Sequence, residues 1–229
     1  MILNERQNQI IRFLKERNRA SVRKLAAHFF VSEMTIRRDL KELESQGYLK
    51  RYNGGAVYCE DNPLPIESRR FLHADEKKRL SEAARKYLHD SITVFLDSSS
   101  TCLYILPIIA EYKDIKVVTN SIPCLLDASK YHISCLMAGG SFFARDMCTV
   151  GGETERFLRS LNIDIGFYSS GGFSEDGVIS DKDENQTSIR KTAMQSCEKN
   201  IFFFDSEKKN KKFFYILCQA KETDEVVII

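Results

Sequence analysis

This sequence lacks the features of a secreted, membrane-spanning or metal-binding protein. Its seven cysteines include no CxxC pair, and its four histidines are scattered rather than set at metal-ligand spacing. The opening residues MILNERQNQI carry charge where a signal peptide is apolar, and no apolar stretch approaches the ~18 residues of a membrane span. We therefore expect a cytoplasmic protein with no membrane contact, metal or cofactor, whose cysteines are mostly small buried hydrophobic residues.

Net charge is also nearly absent, at +2, but its distribution is uneven. Residues 1–58 carry twelve Lys/Arg against six Asp/Glu, whereas residues 59–229 carry twenty-two against twenty-six. At 229 residues and 43% hydrophobic content the chain can bury a core in a small and a medium domain. A basic segment joined to a mildly acidic body suggests a polyanion-binding module fused to a domain with another role.

Three short helices are predicted in the first fifty residues. Apolar residues recur at helical spacing in ERQNQIIRFLKERN and in VRKLAAHF, and Ser21 stands where the second helix needs an N-cap. Ser32 is the matching N-cap candidate for a third helix that runs to Gln46. Gly47 then supplies the left-handed residue that ends it.

The third predicted helix has one apolar side and one basic side. Ile36, Leu40 and Leu43 fall at i, i+4 and i+7 and define the buried side. The opposite side and its flanks carry Met34, Thr35, Arg37, Arg38 and Lys41. A solvated basic face is the simpler interpretation of two adjacent arginines. A tight turn followed by a capped, arginine-bearing helix nevertheless matches a helix-turn-helix, in which arginines bind phosphates or guanine edges in the major groove.

The next residues, YLKRYNGGAVY, indicate a β-hairpin. Alternating residues of YLKRY predict a strand, Asn53-Gly54-Gly55 a turn that demands positive φ, and AVY a return strand. The charges of Lys50 and Arg51 lie on this hairpin. Its place after a helix-turn-helix favours a wing that touches the DNA backbone or minor groove.

These residues resemble a known family over about forty positions. The stretch SVRKLAAHFFVSEMTIRRDLKELESQGYLKRYNGGAV is similar to the N-terminal signature of the DeoR family of bacterial transcription regulators, with its VS-x-x-TIRRDL and closing R-x-x-GGA. Tyr52 stands where the family often has histidine. The resemblance implies that Ser32, Thr35, Arg37 and Arg38 contact DNA or position the helix, and we add Lys41, Lys50 and Arg51 to the predicted DNA-binding residues.

An α/β domain is predicted for the acidic remainder. CEDNPLPIESRR holds two of the four prolines and little periodicity, so residues 59–73 are expected to be a linker between residues 1–58 and 74–229. A long amphipathic helix through Leu80, Ala84 and Leu88 follows. Beyond it the apolar runs SITVFLD, IKVVTN and ISCLMAGG alternate with helical patterns, which indicates βαβ units in a mainly parallel sheet.

Polar or glycine-rich residues follow each predicted strand of that sheet. Ligands bind beyond the carboxyl ends of parallel strands, so these positions are the expected ligand site. Each loop alone is better explained by helix capping or turning, but five at one edge suit an anion, and we expect a phosphate. The predicted effector-binding residues are Asp97, Ser98, Ser99, Ser100, Thr101, Thr119, Asn120, Gly139, Gly140, Gly171, Arg190, Asp205 and Lys208.

Residues 74 to 229 resemble the DeoR-family sensor domain, which shares its fold with ribose-5-phosphate isomerase and CoA-transferase-like proteins. FLDSSST is similar to the family's D-x-G-x-T loop, VVTNS to its TN motif, GGSFFARDMCTVGG to its GG…TVG segment and DSEK to its D-S-x-K motif. The resemblance implies a phosphorylated sugar or related metabolite as effector. Ser99 replaces the family's loop glycine, which would strain the loop if that position needs positive φ, and Arg190 stands where the family often has lysine.

The sequence thus predicts a transcription regulator, a repressor of a carbohydrate-metabolism operon. Its partners would be a double-stranded DNA operator, a phosphorylated sugar and further copies of itself in a dimer or tetramer. Two alternatives remain open. One is a sugar-phosphate isomerase-like enzyme using Asp97, Asp176, Asp181 or Asp205 as a base. The other is a regulator whose large domain only oligomerises.

Overall fold

The computed structural model describes residues 3–45, 47–58 and 66–229. The chain divides into two compact units, Met1–Leu72 and His73–Ile229. Gln46, the expected last residue of the third helix, and residues 59–65 of the predicted linker lie outside the described residues.

Three helices and a three-stranded antiparallel sheet form the first unit. The helices are α1 (Glu5–Arg17), α2 (Val22–Phe29) and α3 (Glu33–Ser45). The strands are β1 (Arg19–Ser21), β2 (Leu49–Tyr52) and β3 (Gly55–Tyr58), in the order β1-β3-β2. The predicted helices and hairpin are confirmed; the short strand β1, which pairs with β3, was not predicted because three residues carry no periodic pattern.

The predicted caps are present at the ends of these helices. The Ser21 hydroxyl accepts a hydrogen bond from Lys24 N, which starts α2, and the Ser32 hydroxyl accepts one from Thr35 N in the first turn of α3. Gly47 adopts the predicted positive φ of 81°. In the hairpin only Gly54, at φ 93°, needs that freedom. The predicted positive φ of the turn is thus supplied by Gly54, while Gly55 lies in β3, where an added Cβ would sit 2.4 Å from Ala20 O.

The apolar stripes read from the sequence pack into one core in this unit. Ile10, Leu14, Leu25 and Ile36 are fully buried, and they pack with the other buried apolar residues of that core. Helix α4 (Ile66–Phe71) also belongs to the unit, since Ser68 Oγ donates to Asn8 Oδ1 and an Arg12 guanidinium nitrogen to Phe71 O. Part of the expected linker is therefore a helix held against α1.

The second unit begins with helix α5 (Ala74–Glu82), which continues as a 3-10 turn over Ala83–Tyr87. The amphipathic face is as predicted, with Leu80, Ala84 and Leu88 buried, although the α-helix itself is shorter than the pattern suggested. The remaining helices are α6 (Leu106–Ile109), α7 (Ile122–Lys130), α8 (Gly152–Arg159) and α9 (Glu184–Ser196).

A six-stranded parallel sheet forms the centre of this unit. Its strands are β4 (Thr93–Leu96), β5 (Lys116–Thr119), β6 (Ser134–Met137), β9 (Ile163–Tyr168), β12 (Cys197–Phe204) and β14 (Glu225–Ile228). They lie in the order β14-β12-β9-β4-β5-β6, with every pair parallel, which confirms the predicted α/β fold. All six carboxyl ends therefore meet at one edge.

Two small antiparallel elements lie outside that sheet. Strands β7 (Ser141–Phe143) and β8 (Cys148–Val150) form a ribbon, and β10 (Gly172–Phe173), β11 (Val178–Asp181) and β13 (Tyr215–Gln219) form a three-stranded sheet. Neither was predicted, because most of their strands are too short to show a periodic pattern and β13 pairs with a strand distant in sequence. Among the described residues, no helix combines the length and apolar character that crossing a membrane requires.

Candidate functional site

The outer face of α3 presents two arginines to solvent. The Arg38 side chain is 83% exposed and that of Arg37 54% exposed, each beside a glutamate one turn away on the same helix. The nitrogen-oxygen distances, 3.5 Å to Glu33 and 3.3 Å to Glu42, are those of weak surface ion pairs, which contribute little to stability. Both guanidinium groups can therefore exchange these partners for phosphates or bases at little cost. Lys41 is exposed as well.

The hydroxyls of Ser32 and Thr35 hydrogen-bond to each other over 2.9 Å at the start of α3. Ser32 also caps the helix, so its first role is to fix where α3 begins. The predicted contacts at the helix start thus share one hydrogen-bonded turn. Whether they also reach DNA stays a prediction.

The wing residues differ in their surroundings. Lys50 is exposed, whereas the Arg51 backbone N–H and guanidinium both donate to the carboxylate of Glu44, at 2.7 and 2.6 Å. These two bonds lower the pKa of Glu44 below its usual value. A cleft of about 310 Å³ lies between α3 and the wing, and its lining includes Arg37, Arg51, Tyr52 and Asn53. Its lining combines two cations and the Glu44 carboxylate with an aromatic ring and an amide.

An ion pair that the sequence did not reveal sets the position of α3. Arg6 on α1 donates from Nε and Nη2 to the two carboxylate oxygens of Asp39, at 2.6 and 3.2 Å. Asp39 is buried, and Gln7 Nε2 adds a 2.6 Å bond to Glu42. The aspartate directly after the paired arginines therefore anchors the helix while the arginines face outward. In the sequence, the only sign of these different roles is that Asp39 directly follows Arg37 and Arg38.

At the carboxyl edge of the parallel sheet, Asp97 organises the loop after β4. Its Oδ1 accepts from Ser99 N at 2.9 Å, and its Oδ2 accepts from Ser169 N at 3.2 Å and from Arg190 Nε at 2.8 Å. Ser99 does not adopt positive φ, so the strain considered for a serine there is absent. Its hydroxyl instead accepts from Cys102 N over 3.3 Å, which closes a short turn.

Arg190 joins two carboxylates in the interior. Besides Asp97, it donates from Nη1 to Asp181 Oδ2 at 2.8 Å, and that oxygen also accepts from Gly171 N at 3.1 Å. Burial lowers the pKa of Arg190, but the charges of Asp97 and Asp181 raise it by more, so the guanidinium stays charged. Asp181, which was considered from the sequence only as a possible enzymatic base, is thus a structural partner of Arg190.

Lys208 lies in the turn after β12, and its side chain reaches the end of the adjacent strand β9. Its Nζ is 2.6 Å from the hydroxyl of Ser169, which donates to Phe203 O. Lys208 N also donates to Asp205 O, which closes the turn after β12. The DSEK segment therefore brings a cation to the same edge as Asp97.

Three other predicted residues place buried oxygen atoms at this edge with no hydrogen-bond partner among the described residues. They are Thr101 Oγ1 after β4, Asn120 Oδ1 after β5 and Asp205 Oδ1 after β12. All three side chains are at least nine-tenths buried. Buried polar atoms are normally satisfied, so such a group points to a ligand or ordered water at the site.

Several of the remaining predicted effector residues make contacts within the protein. Thr119 Oγ1 donates to Leu96 O and Ser98 Oγ to Gln186 Oε1, at 2.7 Å each. Gly140, at φ 150°, lies so close to Thr154 that a Cβ would be 2.1 Å from its hydroxyl oxygen. Ser100 is buried and Gly139 exposed. Sequence reasoning missed Gln186, whose Nε2 also contacts Asp146 and Cys148.

Comparison with known families gives matches for both units. Residues 6–62 match the DeoR-like helix-turn-helix domain, and residues 72–228 match the DeoR C terminal sensor domain. The second match alone covers more than half of the chain.

Curated relatives match along nearly the full length of the chain. An uncharacterized HTH-type transcriptional regulator, YulB of Bacillus subtilis, is 31% identical over 99% of this chain and 89% of its own. The L-fucose operon activator of Haemophilus influenzae is 30% identical, with coverages of 98% and 91%. The glycerol-3-phosphate regulon repressor of Escherichia coli is 26% identical, with coverages of 89% and 82%.

Solved structures resemble the chain in fold. eIF2B delta from Chaetomium thermophilum has a TM-score of 0.51 at 12% identity, covering 68% of this chain and 56% of that one. Ribose 5-phosphate isomerase from Plasmodium falciparum has a TM-score of 0.43 at 20% identity, with coverages of 59% and 52%. The chain spans just over half the length of each.

Proposed function

Because this chain belongs to the DeoR family of DNA-binding transcription regulators, we propose that it represses a carbohydrate-metabolism operon and releases or retains DNA according to a phosphorylated sugar. Regulation through DNA binding, rather than enzymatic turnover, is the family's activity. The mode of control and the effector are the parts proposed here. The relatives' names include both a repressor and an activator, and repression is the mode we propose.

The DNA contacts we propose lie on α3 and the wing. Arg37, Arg38 and Lys41 would enter or flank the major groove, with Lys50 and Arg51 on the adjacent backbone. Support comes from the exposure of the cations on α3 and from the weak ion pairs that Arg37 and Arg38 would give up. Since helix-turn-helix proteins commonly read paired half-sites, we propose a homo-oligomer, a dimer or tetramer.

One observation carries the effector proposal. Thr101, Asn120 and Asp205 each keep a buried oxygen without a partner in the described part of the chain, at the carboxyl edge of a parallel sheet. The oxygens of Asn120 and Asp205 can accept hydrogen bonds from sugar hydroxyls, and the Thr101 hydroxyl can donate one. We assign Lys208 as the cation that binds the phosphate. In this structure its Nζ donates to the hydroxyl of Ser169.

The role of Asp97 in this proposal is support of the site. Three protein N–H groups already bind its carboxylate, so it has little capacity left for a sugar hydroxyl. We assign it, with Arg190, to holding the loop that carries Thr101. This differs from the expectation of Asp97 as a direct sugar contact.

A thermal-shift screen of the full chain against a panel of phosphorylated sugars tests the effector proposal. A ligand at ~100 times its Kd should stabilise the protein by ~2.7 kcal/mol. Lys208→Ala should abolish that shift, while Lys209→Ala, which removes an exposed neighbouring lysine, should keep it.

The alternative is a large domain that only oligomerises. It would be favoured if no phosphorylated sugar in a broad panel stabilises the wild-type chain. Addition of an active sugar to an operator-binding assay then shows whether the ligand releases or tightens DNA, and reporter transcription separates repression from activation.

A further inference from the structure

Phe30, in the turn between α2 and α3, has an unexpected conformation and exposure. It adopts the left-handed conformation at φ 53° and ψ 42°, and its side chain is 94% exposed. Its N–H caps α2 by donating to Ala26 O. Glycine or asparagine usually fills such a cap, and a bulky residue there is strained by roughly 1 kcal/mol. Neither core packing nor backbone preference explains a large, solvent-exposed aromatic residue at this position.

Met34, on the first turn of α3, is a second exposed apolar residue. Its side chain is 76% exposed, although it lies two residues from buried Ile36. It precedes Arg38 by four residues, so the two side chains share one face of the helix. Thr35 and the Ser32 hydroxyl are its neighbours in the same turn.

The charges around these residues identify the partner. Arg37, Arg38 and Lys41 are exposed on the same helix, so the surface is apolar at its tip and cationic around it. A protein partner could bind an apolar tip, but the cations favour a polyanion. In the major groove of DNA the apolar group on a base edge is the C5-methyl group of thymine, between two rows of phosphates.

We propose that Phe30 and Met34 recognise thymine in the operator by packing against C5-methyl groups, while the arginines bind guanine edges or phosphates. The proposal rests on the DNA-binding function and adds a specificity that charged residues cannot supply. It also gives a reason for an exposed aromatic residue at the strained cap position that precedes α3.

The test begins by selecting bound sites from a pool of random DNA duplexes with the full-length protein. In the enriched site, each thymine is then replaced singly by deoxyuridine, which removes only the methyl group. At one or more positions we expect affinity to fall about three- to fivefold, the effect of one methyl group withdrawn from an apolar contact.

Two variants locate the contact. Met34→Ala and Phe30→Asn should each bind thymine and uracil equally at a position where wild type distinguishes them. Asparagine tolerates the left-handed conformation, so Phe30→Asn should fold at least as stably as wild type. Leu126→Ala and Phe214→Asn change exposed apolar residues of the other unit and should keep the discrimination.

The outcomes separate this inference from the proposed function. Loss of the thymine preference in either variant supports it. Enrichment of a defined site in which uracil replaces every thymine without effect would overturn the inference and leave DNA binding intact. Retention of the preference in both variants would overturn it as well, whereas a pool that yields no enriched site would contradict sequence-specific DNA binding itself.

Discussion

The guanidinium of Arg190 donates from Nε to Oδ2 of Asp97 over 2.8 Å, and both side chains are buried. The bond joins α9 to the loop after β4, although the two residues are 93 positions apart in sequence. A second bond from the same guanidinium reaches Asp181. Arg190 thus gives two carboxylates one shared cationic partner at the carboxyl edge of the sheet.

Replacing Arg190 with alanine should destabilise the sensor unit by about 3–5 kcal/mol, because two aspartates lose their buried cation. Urea unfolding followed by circular dichroism measures the effect. The stability of Arg190→Lys should lie between those of wild type and the alanine variant, because an ammonium keeps the charge but lacks the planar set of donors of the guanidinium. The control is Arg156→Ala, which removes an exposed ion pair with Glu153 and should change little. Equal effects of the two alanine variants would show that the buried pair does not hold the loop.

Ser99→Gly should lower stability by roughly 0.5–1.5 kcal/mol rather than relieve strain. The serine already has an unstrained φ, and the variant loses its hydrogen bond from Cys102 N while making the unfolded chain more flexible. Ser99→Ala isolates the hydroxyl contribution. A glycine variant more stable than wild type would instead indicate strain at this position.

Much of the fold was predictable from local pattern. The Ile36/Leu40/Leu43 spacing predicted the buried side of α3, and Ser21 marked the start of α2, because caps and periodicity act within a few residues. The alternation of strands and helices likewise predicted the parallel sheet and the edge at which its polar loops meet.

The contacts that position the sites were not predictable in this way. Arg6 and Asp39 are 33 residues apart, and the sequence pattern of either gives no sign of the other. The same holds for the partners of Arg190. A motif identifies which residues gather at an edge, but burial and long-range pairing decide which of them retain free hydrogen-bonding capacity.

The described cysteines should be poorly reactive in the native protein. Burial raises the pKa of Cys135 and Cys148 to about 11 and of Cys197 and Cys218 to about 12, and it raises the pKa of Cys102 and Cys124 too. At pH 8 a thiol with a pKa of 11 is ionised to only about 0.1%. A Cys59→Ser variant, which removes the cysteine outside the described residues, should therefore react slowly with a thiol reagent until urea is added.

The same shifts give stability a direction with pH. Thiols of the unfolded chain ionise near pH 9, while the native ones stay protonated. The contribution of the buried thiols to the free energy of unfolding is therefore intact below pH 9 and is lost as pH rises toward 11. Urea midpoints at pH 7 and pH 10 measure the change, with Cys135→Ser removing one half-buried contributor. Rapid native labelling or a higher midpoint at pH 10 would contradict this view of the thiols.

A fragment of residues 1–72 should fold more stably than one of residues 1–58. The longer fragment keeps α4, with buried Ile66 and the bond from Ser68 to Asn8. Burial of one isoleucine contributes about 1.5–3 kcal/mol, which should appear as a higher thermal midpoint. Ile66→Ala in the longer fragment is the control and should remove most of the difference.

The longer fragment also tests how the two units cooperate. Alone, it should bind DNA weakly and with steep salt dependence, because it retains the basic charge but not the proposed oligomer. The full chain should bind a site with two half-sites far more tightly through effective concentration. Equal affinities would argue against assembly by the larger unit.

Arg37→Ala and Arg38→Ala should weaken DNA binding without unfolding the protein, because both side chains are exposed and Asp39, not either arginine, anchors α3. If an arginine contacts guanine, its loss should reduce binding by ~1–3 kcal/mol and relax specificity at one base pair. If it contacts phosphate, binding should weaken for all sequences and the salt slope should shrink by about 1. Salt titrations on the selected site and a scrambled duplex distinguish these cases. Arg156→Ala again removes an exposed arginine from the other unit, so an equal loss in that variant, or wild-type affinity in both test variants, would remove α3 from the DNA interface.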